Sequence, residues 1–310
     1  MGKVAFLFPG QGAQYVGMGK EIADEYMSAG KIFDEATEAL GFDVREMIFN
    51  SDDETLKITE NTQPTIVTTS IACMQPLLEK GIRPDFVAGL SLGEYAAHVA
   101  AGTISFKDAV SLVKKRGKYM QEAVPVGVGA MAAIIGLESN DVIECCKEAS
   151  QVGIVEPANF NCPGQIVVAG ETAAVEKAAE LCKAKGAKRA MLLPVSAPFH
   201  CTLLKPAGEK LAGELDKVSL NDIKIPVVTN VTGEAIVDKS MVKELLVRQV
   251  STSVMWEKCI RTMLDQGVDT FVEIGPGKVL SGFVKKIDKE ATVLNVENLE
   301  TLRKVLEVLA

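Results

Sequence analysis

The apolar run Val4-Ala5-Phe6-Leu7-Phe8 is closed by Pro9-Gly10, which makes it too short for a secretory h-region and the right length for a buried strand. A glycine loop follows, Pro9-Gly10-Gln11-Gly12-Ala13-Gln14, and helical spacing begins near Met18. Asn61 to Lys80 reads as a helix with Pro64 in its first turn and Gly81 past its end. Phe86-Val87-Ala88 predicts a second short strand, with a helix after it through about Ala101. Ser105 is placed to cap the next helix, with Asp108 in its first turn. Strands alternating with helices predict an α/β fold with a largely parallel sheet.

The middle of the chain has a different rhythm. Strand Met131–Ile135, helix Ser139–Ala149, strands Gly153–Asn159 and Gln165–Ala169, helix Thr172–Lys185 and strand Lys188–Pro194 give a βαββαβ order. That order is ferredoxin-like, and it predicts a small subdomain at 126–197 inserted into a larger domain formed by 1–125 and 198–310. Beyond it the α/β pattern resumes, with strands near Val227–Asn230 and Thr270–Ile274 and a last helix from about Glu297.

Composition narrows the classes. With 310 residues, 47% of them hydrophobic and 24% charged, the chain has the makeup of a globular protein with a large core. A net charge of −8 argues against general affinity for nucleic acid or anionic membranes. The longest uncharged stretch, Asn61 to Leu78, is rich in Thr and Gln and holds two prolines, so no membrane span is expected. Seven scattered cysteines without a C-x-x-C pair fit a reducing cytoplasm. Only two histidines, His98 and His200, are present, which rules out a His-rich metal site.

Gly89-Leu90-Ser91-Leu92-Gly93 lies between a predicted strand and a predicted helix, the setting in which G-x-S-x-G exposes a serine nucleophile. Such a turn aims the Leu92 N–H at a developing oxyanion; the plainer alternative is a glycine-rich turn with a solvated serine. His98 lies seven residues further along the same helix, about 10 Å away by helical rise, and is read as a core histidine. His200 is therefore the one reachable base. Arg116 falls on the apolar stripe of its helix with Leu112, Val113 and Met120, while Lys114, Lys115 and Lys118 take outer faces. A buried arginine needs an anionic partner: a carboxylate of this chain, or one carried by a substrate. The Pro9–Gln14 loop fails both common nucleotide motifs, since Tyr15 stands where a third glycine would be. It can instead bring the Gln11 N–H beside the nucleophile turn.

These residues, with Thr62-Gln63-Pro64, Glu94-Tyr95, Asn161-Cys162-Pro163-Gly164-Gln165, Ala197-Pro198-Phe199-His200, Arg248-Gln249 and Glu273-Ile274-Gly275-Pro276-Gly277-Lys278, run in order over nearly the whole chain. The sequence thereby resembles the malonyl-CoA:acyl carrier protein transacylases of type II fatty acid synthesis. The resemblance implies an α/β-hydrolase-like core with a ferredoxin-like insert. It implies Ser91 as nucleophile, His200 as general base, and the Gln11 and Leu92 N–H groups as oxyanion hole. Arg116 would pair with the malonyl carboxylate, and the Gln249 carbonyl would orient His200. Asn161 matches a residue near the site, and Phe199 matches the malonyl-selecting form of its motif. Two positions depart from the pattern: Leu90 stands where many members have His, and Ser253 where many have Pro, which would loosen the loop after Gln249.

The resemblance further implies a cytoplasmic monomer that uses malonyl-CoA and acyl carrier protein and needs no metal or redox cofactor. Three alternatives stay open: a serine hydrolase, transfer to a polyketide carrier protein, and a non-catalytic scaffold that docks a carrier protein. Hydrolases of this kind usually carry an acid ahead of a late histidine, whereas about a third of this chain follows His200. Acyl carrier protein is itself acidic, so a local basic patch must outweigh the net charge. Lys183, Lys185, Lys188 and Arg189, Lys114, Lys115 and Lys118, and Lys285 and Lys286 are the candidate clusters.

Overall fold

The computed structural model describes residues 2–125, 127–195 and 197–309. Val126, where the insert was expected to begin, and Ser196, in the loop before His200, lie outside the described residues, as do residues 1 and 310. The chain starts with β1 (Lys3–Phe8) and the glycine loop, then α1 (Lys20–Glu25), α2 (Met27–Leu40), α3 (Val44–Phe49), α4 (Asp53–Lys57) and the long α5 (Thr59–Glu79). β2 (Phe86–Gly89) leads into α6 (Gly93–Ala100) and α7 (Phe106–Ala123). The middle runs β3 (Gly129–Ile135), α8 (Ser139–Ala149), β4 (Val155–Cys162), β5 (Gln165–Glu171), α9 (Thr172–Ala184) and β6 (Arg189–Leu192). The chain closes with α10 (Lys205–Leu215), β7 (Val227–Val228), β8 (Ala235–Ile236), α11 (Val242–Gln249), α12 (Trp256–Asp265), β9 (Val268–Ile274), α13 (Val279–Ile287), β10 (Thr292–Val296) and α14 (Leu299–Leu309).

Among the described residues, ten strands form two sheets. The larger has the order β10-β9-β1-β2-β7-β8 and is parallel except for β8. The period-2 alternation of a strand explains why β1 has no polar face: Val4, Phe6 and Phe8 enter one apolar core and Ala5 and Leu7 the other. A parallel strand covered on both faces reads as a continuous apolar run, as Val4–Phe8 does. The smaller sheet is antiparallel in the order β4-β5-β3-β6. One of its faces packs with α8 and α9 into a separate core around Ile134, Val142, Val168 and Cys182. Its other face, through Met131, Val167 and Ala169, joins the main core.

Differences from the sequence reading are local. The first helix starts at Lys20, because Gly17 and Gly19 take left-handed conformations ahead of it. β4 runs on to Cys162, up to the Pro163-Gly164 turn, with register irregularities on the way. Ser105 caps α7 as expected, accepting from the Asp108 N–H. All seven cysteines are free and buried. The loop after Gln249 is tied down: Ser253 Oγ donates to the Pro157 carbonyl at 2.6 Å, and Val254 exchanges backbone bonds with Ala158 and Phe160.

His98 is completely buried on α6, and neither ring nitrogen has a hydrogen-bond partner among the described residues. Burial pushes its pKa down to about 3. The unfolded chain takes up a proton near 6.5 that the folded state refuses, so this residue costs stability as pH falls from about 6.5 toward 3. His98→Leu should therefore lose about 2 kcal/mol less stability than the parent between pH 7 and pH 5, as read by urea unfolding. Equal losses would mean that the folded protein protonates His98 as readily as the unfolded chain does.

Candidate active site

The parallel order sets the C-terminal ends of β1, β2 and β7 side by side, where open α/β sheets place their ligand crevices. These ends carry the Pro9–Gln14 loop, the Gly89–Gly93 turn and Asn230. The turn is tight enough that a Cβ on Gly89 would sit 1.9 Å from the Gly93 carbonyl carbon, and one on Gly93 would sit 2.1 Å from the Phe8 oxygen. Only glycine fits at either position. Between them Ser91 has φ 53°, and His200 has φ 62°. Among the described residues these are the only non-glycine residues in the left-handed region, and such strain concentrates at sites.

Those two residues meet. Ser91 Oγ lies 2.7 Å from His200 Nε2, and His200 Nδ1 lies 2.8 Å from the Gln249 carbonyl oxygen. A carbonyl only accepts, so Nδ1 carries the proton and Nε2 is left to accept from the serine hydroxyl. Burial, and then the charge on Arg116, push the His200 pKa down to about 3, while the Gln249 carbonyl opposes this. The imidazole is therefore neutral, as a base must be.

Arg116 completes the cluster from α7. Its Nη2 donates to Ser91 Oγ at 3.0 Å and to Gln249 Oε1 at 3.0 Å, and its Nη1 donates to Gln63 Oε1 at 2.8 Å. The residue is 2% exposed. All three hydrogen bonds end on neutral oxygens, and Nε has no partner among the described residues. Among the described residues no carboxylate is in direct contact with Arg116.

Gln249, at the end of α11, also donates from Nε2 to the Ser91 carbonyl and to Glu94 Oε2, both at 2.9 Å. Asn230 holds the other side of the turn: Oδ1 accepts from the Ser91 N–H at 2.5 Å, and Nδ2 donates to the Gly89 carbonyl at 2.8 Å. No hydrogen bond within the described residues engages the N–H of Gln11 or of Leu92. The Gln11 side chain donates to Thr59 Oγ1 at 3.3 Å.

Asn161 is buried at the end of β4 and Phe199 packs into the main core, and neither hydrogen-bonds to the Ser91 cluster among the described residues. Gln63, Glu94 and Asn230 were not singled out from sequence. The available signals were polar residues in apolar surroundings: Gln63 ahead of Pro64, and Asn230 at a strand's C-terminal end. No group of three or more His, Cys, Asp or Glu side chains could hold a metal ion among the described residues, and no described helix is long and apolar enough to cross a membrane.

A hydrogen-bonded serine–histidine pair at the C-terminal edge of a parallel sheet is the equipment of acyl transfer through an ester. The family model of the acyl transferase domain matches residues 5–304. The malonyl CoA-acyl carrier protein transacylase of Bacillus subtilis is 48% identical over all of this chain and 98% of its own length. The Escherichia coli K12 enzyme of that name is 46% identical over 99% of this chain and its full length. The crystal structure of the Clostridium perfringens transacylase superposes with a TM-score of 0.97 at 51% identity, covering 99% of this chain and 97% of that one. A malonyl-transacylase in complex with a type II PKS acyl-carrier protein gives 0.96 at 43% identity, covering 99% of each chain. The chain belongs to the malonyl CoA-acyl carrier protein transacylase family, within the acyl transferases.

Asn230→Ala would leave the Ser91 N–H and the Gly89 carbonyl without their partners. A loss of about 2–6 kcal/mol in unfolding free energy is expected, because each buried unpaired group costs about 1–3 kcal/mol. An unchanged denaturation midpoint would show that water replaces the carboxamide.

Proposed function

We propose that this chain moves a malonyl group from malonyl-CoA to the phosphopantetheine thiol of acyl carrier protein through an ester on Ser91. The observation that carries this reading is Arg116: a buried guanidinium 3.0 Å from the nucleophile whose hydrogen bonds all go to neutral oxygens. An acyl group ending in a carboxylate supplies the missing anion, and the planar fork suits it.

The geometry then assigns the steps. The Ser91 hydroxyl passes its proton to His200 Nε2 as Oγ attacks the thioester carbon. The oxyanion falls to the free N–H groups of Gln11 and Leu92. The C–S bond breaks, the thiolate of CoA takes the proton from His200, and the malonyl ester remains with its carboxylate on Arg116. The carrier's thiol gives its proton to His200 and attacks the ester, and Ser91 regains its proton as the bond to Oγ breaks. The Gln249 carbonyl serves in place of a triad carboxylate, holding the tautomer while the base cycles. The reaction so written needs no metal or redox cofactor. Asn161 and Phe199 remain residues near the site, Phe199 as the malonyl-selecting form of its motif.

The strand orders support the finer architecture: an α/β-hydrolase-like core at 1–125 and 198–310, with a ferredoxin-like insert at 126–197 that has its own apolar core. The same reading places the chain in cytoplasmic fatty acid synthesis, as a monomer; the relatives' names support the malonyl donor and the carrier protein. Transfer to a polyketide carrier protein is the second reading, favoured by the neighbour bound to such a carrier.

For the carrier, the charge clusters divide. Lys115 pairs with Glu214, Lys118 with Glu122, and Lys185 with Asp141 and Glu144. Lys188 and Arg189 are exposed and make no ion pair among the described residues, next to the exposed Met191 and Leu192 of β6. This edge is the proposed docking surface for an acidic carrier.

Three outcomes test the reading. Incubation with malonyl-CoA should leave one malonyl group on the intact protein by mass spectrometry and none on Ser91→Ala; Arg116→Ala should lose the preference for malonyl over acetyl by 10²-fold or more, on the order of an interaction with a charged partner. An Arg116→Ala protein that still discriminates would remove the clamp. Reversing charge at Lys188 and Arg189 should raise the KM for the carrier protein, most at low salt, while reversing Lys115 should not. Equal effects would remove the edge as a docking surface.

A further inference from the structure

Arg116 has no carboxylate in direct contact, yet a buried carboxylate stands one amide away. Glu94 is wholly buried on α6. Its Oε2 accepts from Gln249 Nε2 at 2.9 Å and from the Asn230 N–H at 2.8 Å, while Oε1 has no hydrogen-bond partner among the described residues. The opposite end of the same carboxamide, Gln249 Oε1, accepts from Arg116 Nη2. The amide is thus oriented head to tail between an acid and a guanidinium, its N–H toward the acid and its oxygen toward the cation. An amide dipole so placed couples the two charges without contact.

We propose that Glu94 is the counter-ion of Arg116 before substrate arrives, relayed through Gln249, and that it gives up this role by taking a proton from solvent when a substrate carboxylate occupies Arg116. The proposal rests on the malonyl reading above. With that carboxylate in place, one guanidinium faces two acids in a dry site, and like charges raise each other's affinity for a proton. Protonation at Oε1 breaks no existing hydrogen bond, because that atom makes none.

The surroundings leave Glu94 as the titrating group. It faces Arg116 from α7, Cys259 from α12, Tyr95 on its own helix, and His200 across Gln249. Burial pushes Cys259 and Tyr95 up beyond the neutral range, and burial with Arg116 pushes His200 down to about 3. Burial also raises Glu94 to about 7, against its two hydrogen bonds and Arg116. Below that pH Glu94 is neutral and does not compete with the incoming carboxylate; above it the acid competes. Affinity for malonyl should fall as pH rises.

Calorimetry on the Ser91→Ala protein separates binding from turnover. Malonyl-CoA should bind about 5-fold or more weaker at pH 8 than at pH 6, relative to CoA itself, which carries the same phosphates. Binding at pH 8 should take up protons, seen as a difference between buffers of unlike ionisation heat. Adding Glu94→Gln, which keeps an oxygen for both donors, should make malonyl-CoA bind at pH 8 as it does at pH 6 and abolish the uptake. A pH dependence and uptake unchanged in that variant would overturn the proposal. Should the variant not fold, the absence of proton uptake in the Ser91→Ala protein beyond that seen with CoA overturns it equally. A failure of the malonyl reading shows separately: Arg116→Ala in the same background would then bind malonyl-CoA no more weakly relative to CoA.

Discussion

Four hydrogen bonds meet on Gln249, and the geometry of the site depends on them. Its backbone oxygen fixes the tautomer of His200, its Nε2 ties the Ser91 carbonyl to Glu94, and its Oε1 receives Arg116. One residue at a helix end thereby holds Ser91, His200 and the buried Arg116 in register. The constraint behind this is electrostatic: a guanidinium sealed from water must be solvated by the protein. Here Gln63, Gln249 and Ser91 take the place of water without supplying an anion.

The fold supplies this arrangement from distant parts of the chain. Ser91 comes from the turn after β2, Arg116 from α7, His200 from the return of the small sheet's segment, and Gln249 from α11. The strained turns at Ser91 and His200 are affordable because the backbone around the first is bracketed by Asn230 on one side and Gln249 on the other. The small sheet, with a core of its own, leans one face on the main core beside the loop that carries His200.

Much of this was legible in sequence where residue type and chemistry are bound together. Gly89 and Gly93 are demanded by backbone contacts that no side chain survives, so G-x-S-x-G marks the turn. Arg116 stood out because a charge on an apolar stripe must find an anion, in this chain or in a substrate. His200 followed once His98 had been set aside by distance. Gln249 was reached only by resemblance, because any residue has a carbonyl. Glu94 and Asn230 gave little sign, since a first-turn glutamate and an asparagine after a strand are both ordinary at a surface. β10 and the short β8 also escaped notice, as half-exposed edge strands lack the continuous apolar run of β1. The strand expected to end at Asn159 runs on through Asn161 to Cys162 instead.

The central claim is that Arg116 is left for the carboxylate of an acyl group carried on Ser91. A crystal structure of the protein trapped after reaction with malonyl-CoA tests it most directly. The account predicts electron density for an ester on Ser91 Oγ, with the distal carboxylate bidentate on the Arg116 guanidinium and the ester oxygen facing the Gln11 and Leu92 N–H groups. A malonyl ester whose carboxylate turns to solvent, with Arg116 still bound only to Gln63 and Gln249, would contradict it.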